Sequence, residues 1–219
     1  TVVYRDASGT VVDSITFSNI ENVVACFTPG TLIKTMRGEV DVAHLRIGDR
    51  VLTRDCGYKP IRWIGSRKLD ATDMAANPAL RPVRIARGAL GGGFPERDMI
   101  VSPQHRVLIA SVEAQLWFGE DEVLVPAVHL TCLDGVERMR DCEVEYIHFM
   151  FDQHEVVLSD GVWSESFQPG DMSLAGLDDA ARTELLALFP ELAGAEGQAD
   201  YAAARPTLKA YQARVLLGA

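Results

Sequence analysis

Apolar positions come in short runs separated by turn formers from residue 1 to about residue 170. "TVVY", "TVVDSITF", "TLIKT", "RVLTR", "IRWIG", "VRIA", "HRVLIA", "EVLVPAVHL", "VEYIHFMF" and "EVVLSDGVW" are rich in Val, Ile and aromatic residues. Between them stand "ASG", "RG", "DCG", "GGG" and "SDG". Side chains of this type suit a pleated, half-buried surface, and closely spaced turns make many short strands, so the pattern predicts an all-β domain. The run "RGALGGGFPERD" (87–98) reads as a loop. Its glycines do not make a dinucleotide fingerprint, because Pro95 and charges follow where a helix should begin.

Near residue 170 the period changes. In "LDDAARTELLALFP" (177–190), Leu177, Ala181, Leu185 and Leu188 fall at helical spacing, with Asp178 and Asp179 at the start and Pro190 at the stop. "RPTLKAYQARVLLG" places Pro206 near a second helix start and Gly218 after its end. The expected architecture is a mostly β domain with a short α-helical C-terminal tail whose apolar residues pack back on the strands.

Composition narrows the classes. At 219 residues and 47% hydrophobic, the chain can bury a substantial core. A net charge of −10 lacks the basic stripe that a nucleic-acid groove needs, so no nucleic-acid partner is expected. No apolar run approaches the roughly 20 residues of a membrane helix, so no membrane span is expected. The first residues show neither the basic nor the apolar region of a signal peptide. Four cysteines (Cys26, Cys56, Cys132, Cys142) are too few for a disulfide scaffold. Cys56 in "RDCGYK" reads as an incidental thiol at a hairpin tip.

The candidate chemistry begins at "NVVACFTPGTLIKT" (22–35), where an apolar segment runs into Cys26 and then a Thr-Pro-Gly turn. Free cysteines are commonly small buried hydrophobes. A thiol presented at a bend can instead attack the carbonyl of Ala25, turning the Ala25–Cys26 amide into a thioester. That shift needs a proton donor for the departing nitrogen and groups that hold the peptide. "IVSPQHRVLIA" supplies Ser102 to position it and His105 to protonate it. In "VEYIHFMFDQHEVVLSDGVWSESF", alternation puts His148, Met150, Asp152 and His154 on one strand face and Phe149 and Phe151 on the other. That face is either the polar side of a half-buried strand or a site contributing two imidazoles.

Together the three segments resemble the Hint (Hedgehog/intein) self-processing domain, in its bacterial branch outside true inteins. "CFTPGTLIKTMRGEVDVAHLRIGDRVLTRDCG" resembles the first block of the family, with Cys, Gly-Thr and Gly-Asp in register. "VSPQHRVLI" resembles the second block, Ser102 standing where the family has Thr, and "VEYIHFMFDQHEVVLSDGVWSES" resembles the late block. The resemblance implies a horseshoe of strands with pseudo-twofold symmetry and cleavage just before Cys26. It divides the chain into an upstream segment (1–25), a Hint domain (26–170) and a helical extension (171–219). It implies a single-turnover, autoprotease-like reaction with no cofactor and no metal. The partners are the covalently attached upstream polypeptide and an acceptor nucleophile that the sequence does not identify. A secreted or cell-surface setting is suggested by the resemblance alone.

Two departures from the family shape the expectation. His148 lies nearest the position where the family commonly has an activating Asp. Splicing inteins end in His-Asn, whereas this chain has only Asn19, Asn22 and Asn77 and reads "SESFQPG" at the corresponding place. Gln168 could cyclise, but Pro169 is not a nucleophile, so an acyl shift without full splicing is expected. The alternatives are a catalytically inactive Hint-like module that binds or scaffolds, and a zinc site from His129, Cys132, Cys142 and His148.

Overall fold

The turn formers between the apolar runs fold the chain back on itself repeatedly. A computed structural model of the chain describes residues 25–140, 143–168 and 202–218, with the backbone of 2–5 and 11–15. Among the described residues the strands are β1 (Val2–Arg5), β2 (Val11–Ile15), β3 (Leu32–Thr35), β4 (Gly38–Asp41), β5 (Arg50–Thr53), β6 (Gly57–Pro60), β7 (Trp63–Leu69) and β8 (Val83–Ile85). They continue with β9 (Met99–Val101), β10 (Arg106–Ala110), β11 (Glu122–Pro126), β12 (Val136–Arg138), β13 (Val144–Met150), β14 (Val156–Ser159) and β15 (Val162–Glu165). The described helices are α1 (Ala71–Ala76), α2 (Val112–Phe118) and α3 (Ala210–Leu217).

The largest sheet runs β11-β10-β15-β14-β3-β5-β6, with β4 paired to β3. A second sheet runs β12-β8-β9, and β7 pairs with β13 along the full length of both strands. Phe27 joins the last two groups, bridging to Val101 on one side and to Ile147 on the other. Its N–H donates to the Ile147 carbonyl at 2.8 Å and its carbonyl accepts from Ile147 N–H at 2.9 Å. The residue after Cys26 is therefore a rung in the middle of a sheet. β1 and β2 pair with each other.

Register is fixed by the core. Phe27 stacks on Phe149 with ring centroids 5.4 Å apart, and Phe149 meets Phe151 edge to face at 5.8 Å. All three are buried, as is Trp63. Burying each such aromatic stabilises the fold by about 1.5–3 kcal/mol, so a one-residue slip of β13, which would reverse its faces, is strongly disfavoured. The β14–β15 hairpin turns through Asp160 (φ 47°) and Gly161 (φ 80°), the left-handed pair that the right-handed twist of a hairpin favours. The Asp160 carboxylate also accepts from Leu32 N–H, tying this turn to β3.

The mostly β expectation holds, with three strands (β4, β6 and β12) and two helices beyond it among the described residues. α2 has a Ser111 cap and a left-handed Gly119 stop, but it spans seven residues and buries only Ala114. Its pattern therefore lacks an apolar face of helical period. "EVLVPAVHL" is not one strand: β11 ends at Pro126 and a 3-10 turn covers Ala127–Leu130. "VEYIHFMFDQHE" also breaks earlier than alternation predicts. β13 stops at Met150, and Asp152 turns outward to pair with Arg62. β13 is buried on both faces from Tyr146 to Met150, so the one-face polar stripe expected through His154 does not form.

The expected helix over 177–190 lies outside the described residues. In the tail, α3 forms and ends at Gly218, and the residues before it add an element of another kind. Leu124 N–H donates to Pro206 O at 2.8 Å, and Leu208 N–H to Leu124 O at 2.9 Å, making a parallel bridge between Thr207 and β11. The tail thus completes the edge of the largest sheet, and its helix packs against the turn at Ala127–Leu130 and α2.

Candidate active site

Cys26 enters the core immediately before the Phe27 rung, and its neighbours follow from that placement. Ser102 follows β9, and Phe27 bridges to the last residue of β9, so Ser102 faces Cys26. Ser102 N–H donates to the Cys26 carbonyl at 3.0 Å, and Cys26 N–H donates to Ser102 Oγ at 2.9 Å. The hydroxyl therefore holds the nitrogen of the Ala25–Cys26 peptide. That peptide is trans, since the single cis bond among the described residues is Phe94–Pro95.

On the other flank, His148 follows Ile147 in β13. Its Nδ1 lies 3.4 Å from Cys26 Sγ. Burial pushes the thiol far above its ordinary range; the Ser102 hydroxyl and the Arg67 charge pull down, and Glu165 pushes up. The resting sulfur is a protonated thiol with an imidazole nitrogen beside it.

The His148 ring is held between aromatics, 5.1 Å from Trp63 and 5.4 Å from Phe167, centroid to centroid. Across the β7–β13 ladder its partner is Gly65. A Cβ at Gly65 would lie 2.7 Å from His148 Nε2 and 2.5 Å from the Trp63 ring, so only glycine leaves room for this ring position. Trp63, Gly65 and Phe167 were not foreseen. The available signal was a lone glycine inside the strand run "IRWIG", which marks close approach of another group.

His105 closes a turn, its N–H donating to Ser102 O at 3.0 Å. Its ring packs edge-on against Phe27, with centroids 4.4 Å apart. Burial first, and the Arg106 charge second, lower its pKa to about 3. Its two ring nitrogens have no hydrogen-bond partner among the described residues. The ring is therefore a neutral imidazole one turn from Ser102, and its described contact is with Phe27 rather than with the Cys26 nitrogen.

His154 is placed differently. Its Nδ1 accepts from Ala204 N–H at 2.9 Å, and its Nε2 stands 3.4 Å from Glu165 Oε2. Glu165 also accepts from Arg106 N–H at 2.9 Å and pairs with the Arg106 guanidinium at 3.2 Å. Arg106 donates further to Gln168 Oε1 at 3.1 Å. The fold thus brings together Ala25, Cys26, Ser102 and His148, with His105 one turn away, and places His154 in a separate buried ion-pair cluster. The zinc alternative has no geometry behind it. His148 lies at Cys26, Cys132 Sγ donates to the His129 carbonyl at 3.5 Å, and Cys142 falls outside the described residues. No three metal-ligating side chains gather among the described residues.

Residues 25–171 match the family model of the Hint domain. The chain belongs to the Hint family. Its match begins at Ala25, the residue before the candidate nucleophile, and spans both sheet groups that flank Cys26. Solved structures are similar to the chain at low identity. The gp41-1 intein is 12% identical, with 64% of this chain and 97% of that one covered at a TM-score of 0.38. A bacterial intein-like domain from Clostridium thermocellum is 15% identical over 64% and 97% of the two chains, with a TM-score of 0.41. The TvoVMA intein is 10% identical over 64% and 96%, with a TM-score of 0.45. At such identities no residue role carries over from them. No curated protein matches the chain. Membership makes this a self-processing type of domain, and no described helix is long and apolar enough to cross a membrane.

Proposed function

We propose that the domain breaks its own backbone before Cys26 by an N-to-S acyl shift. The observation that supports this most is the convergence of Ser102 Oγ on the Cys26 nitrogen and of His148 Nδ1 on the Cys26 sulfur. The two groups flank one peptide bond from opposite sides. His148 Nδ1 takes the thiol proton as Sγ bonds to the Ala25 carbonyl carbon. The C–N bond then breaks, and the nitrogen leaves as an amine with a proton from the neighbouring imidazole of His105, which is charged from solvent in the course of the reaction, while His148 returns the thiol proton to solvent. The thiol gives up one proton and the amine gains one, so the shift is balanced. Water then yields a carboxylate at Ala25, and another nucleophile yields a ligated product. With no Asn after residue 77, and with Pro169, which is not a nucleophile, after Gln168, full splicing is not part of the scheme.

In this scheme Ser102 positions the peptide, His148 activates the thiol, and His105 is the proton donor. Since His105 is neutral above about pH 3 at rest, its charging is a step in the reaction. We assign His154 to holding the tail rather than to this centre. Residues 1–25 are the upstream segment and 26–170 the processing domain.

One observation favours the rival reading of an inactive module: the thiol is strongly protonated and the His105 ring does not contact the Cys26 nitrogen. Mass spectrometry of the chain incubated with and without dithiothreitol separates the two. Cleavage between Ala25 and Cys26 that dithiothreitol accelerates and Cys26→Ala abolishes supports the shift. An intact chain under both conditions would leave the module.

A further inference from the structure

The chain carries 31 acidic and 21 basic side chains, yet one of its clefts is lined by four arginines. Arg81, Arg84, Arg138 and Arg140 surround a space of about 840 Å³ at the end of the β12-β8-β9 sheet, floored by Pro78, Val136 and Met139. Glu137 is the one acidic residue in the lining. A protein with this net charge repels anions in general, so a cationic concavity of this kind is a local construction.

The arginines differ in what they already hold. Arg84 is spent: it pairs with Asp98 at 2.6 Å and with Glu137 at 3.0 Å. Among the described residues Arg138 reaches only the Pro78 carbonyl, at 3.4 Å. Among the described residues neither Arg81 nor Arg140 has a carboxylate partner. Arg81 is the telling member, because its Nε is buried and has no hydrogen-bond acceptor among those residues. A buried guanidinium nitrogen left without an acceptor costs free energy, and an anion drawn into the cleft by the exposed Arg138 and Arg140 is one way to relieve it.

We infer that this cleft is a binding site for a ligand bearing an oxyanion, a phosphate or carboxylate group, on a small organic body. Guanidinium groups present paired donors that match the oxygens of such an anion, and three uncommitted arginines can share one group. Pro78, Val136 and Met139 offer an apolar seat for the body that carries it. The site also shares a strand row with the processing centre. Arg138 pairs with Val83, Val83 with Val101, and Val101 with Phe27. Three strand spacings put the cleft about 14 Å from the residue next to Cys26. The inference stands on the arginines alone and does not depend on the acyl shift.

Titration calorimetry of the full chain tests it, with pyrophosphate, citrate and phosphatidylglycerol vesicles as probes and phosphatidylcholine vesicles as the neutral control. NMR of the arginine Nε–Hε groups supplies the residue-level readout. At least one anionic probe is expected to saturate at one site, to shift the Arg81 Nε–Hε resonance and to weaken with added salt. Arg81→Gln with Arg138→Gln should lower the affinity about tenfold or more, and exposed Arg140→Gln alone about threefold. The second variant keeps the test alive if the first does not fold. Binding of pyrophosphate or citrate identifies a soluble anion, and binding of phosphatidylglycerol vesicles alone identifies a lipid headgroup. The inference is overturned if no probe saturates below about 10 mM, or if folded variants bind as tightly as the parent.

Discussion

Two buried polar clusters lie side by side in this molecule, and they are built on opposite rules. At Cys26 two groups are held in unfavourable states: burial forces the thiol to keep its proton, and the His105 ring nitrogens are unpaired among the described residues. Around Glu165 the groups are close to saturated, with Arg106 joined to Glu165 and Gln168 and His154 to Ala204 of the tail, and only His154 Nε2, 3.4 Å from Glu165, left without a hydrogen bond among the described residues. The clusters are close: Phe167, whose N–H donates to Phe149 O at 3.0 Å, lies between Glu165 and Gln168 in sequence and touches His148. Saturation stabilises a fold because breaking a buried pair strands a charge. Deprivation holds reactive groups ready, and it is tolerated where positions are set by the surrounding packing. The first cluster is the one suited to chemistry and the second to architecture.

Replacing the two imidazoles should separate these roles. His148→Gln removes the group beside the sulfur and should slow cleavage at Ala25–Cys26 by about 10²- to 10⁴-fold. His154→Ala should leave the rate, measured well below the melting temperature, within about threefold of the parent while costing about 2–3 kcal/mol in denaturant unfolding. Equal losses of rate in the two variants would erase the distinction.

A milder change sharpens it. Gly65→Ala pushes a methyl group against His148 Nε2 and Trp63 without altering any polar atom. A displacement of about 1 Å should slow cleavage on the order of 10²-fold while the His154 cluster, read by protection of Ala204 N–H from exchange, is unchanged. A normal cleavage rate in folded Gly65→Ala would show that the His148 position is immaterial.

How much of this was legible in the sequence varies with the range of the interaction. The strands announced themselves because β-branched and aromatic runs need no partner to be recognised. Cys26, Ser102 and His105 were legible because a nucleophile at a turn and a hydroxyl three residues before an imidazole are local patterns. β4, β6 and β12 were missed because they are three or four residues long and half polar, formed by pairing rather than by their own composition. His148 and His154 looked equivalent by alternation. What separates them is that β13 ends at Met150 and that Ala204 arrives from a segment fifty residues later, which periodicity cannot express. The Trp63–Gly65–Phe167 clamp is assembled from two segments a hundred residues apart and has no local signature beyond the glycine.

The smallest expected effect lies at the turn after β14. Burial raises the Asp160 carboxyl from 3.8 to about 6, against the lowering influence of Leu32 N–H and Arg97. A carboxyl raised in the folded state favours folding below its unfolded value, and that contribution is lost as pH rises through about 6. Asp160→Asn keeps the acceptor for Leu32 N–H and suits the left-handed turn position. It should raise stability at pH 7.5 by about 0.5 kcal/mol, or about 1–2 °C in melting temperature, and the gain should vanish near pH 4. A gain that persists unchanged at pH 4 would mean that Asp160 does not titrate as described.

The central claim is that the Cys26 sulfur becomes bonded to the Ala25 carbonyl. Hydroxylamine reports this directly, because it attacks a thioester far faster than an amide. Incubated with hydroxylamine, the chain should release a fragment of residues 1–25 ending in an Ala25 hydroxamate, with a matching product beginning at Cys26, and Cys26→Ala should release neither. Release of the same fragment as a free carboxylate, equally from the parent and from Cys26→Ala, would contradict the account.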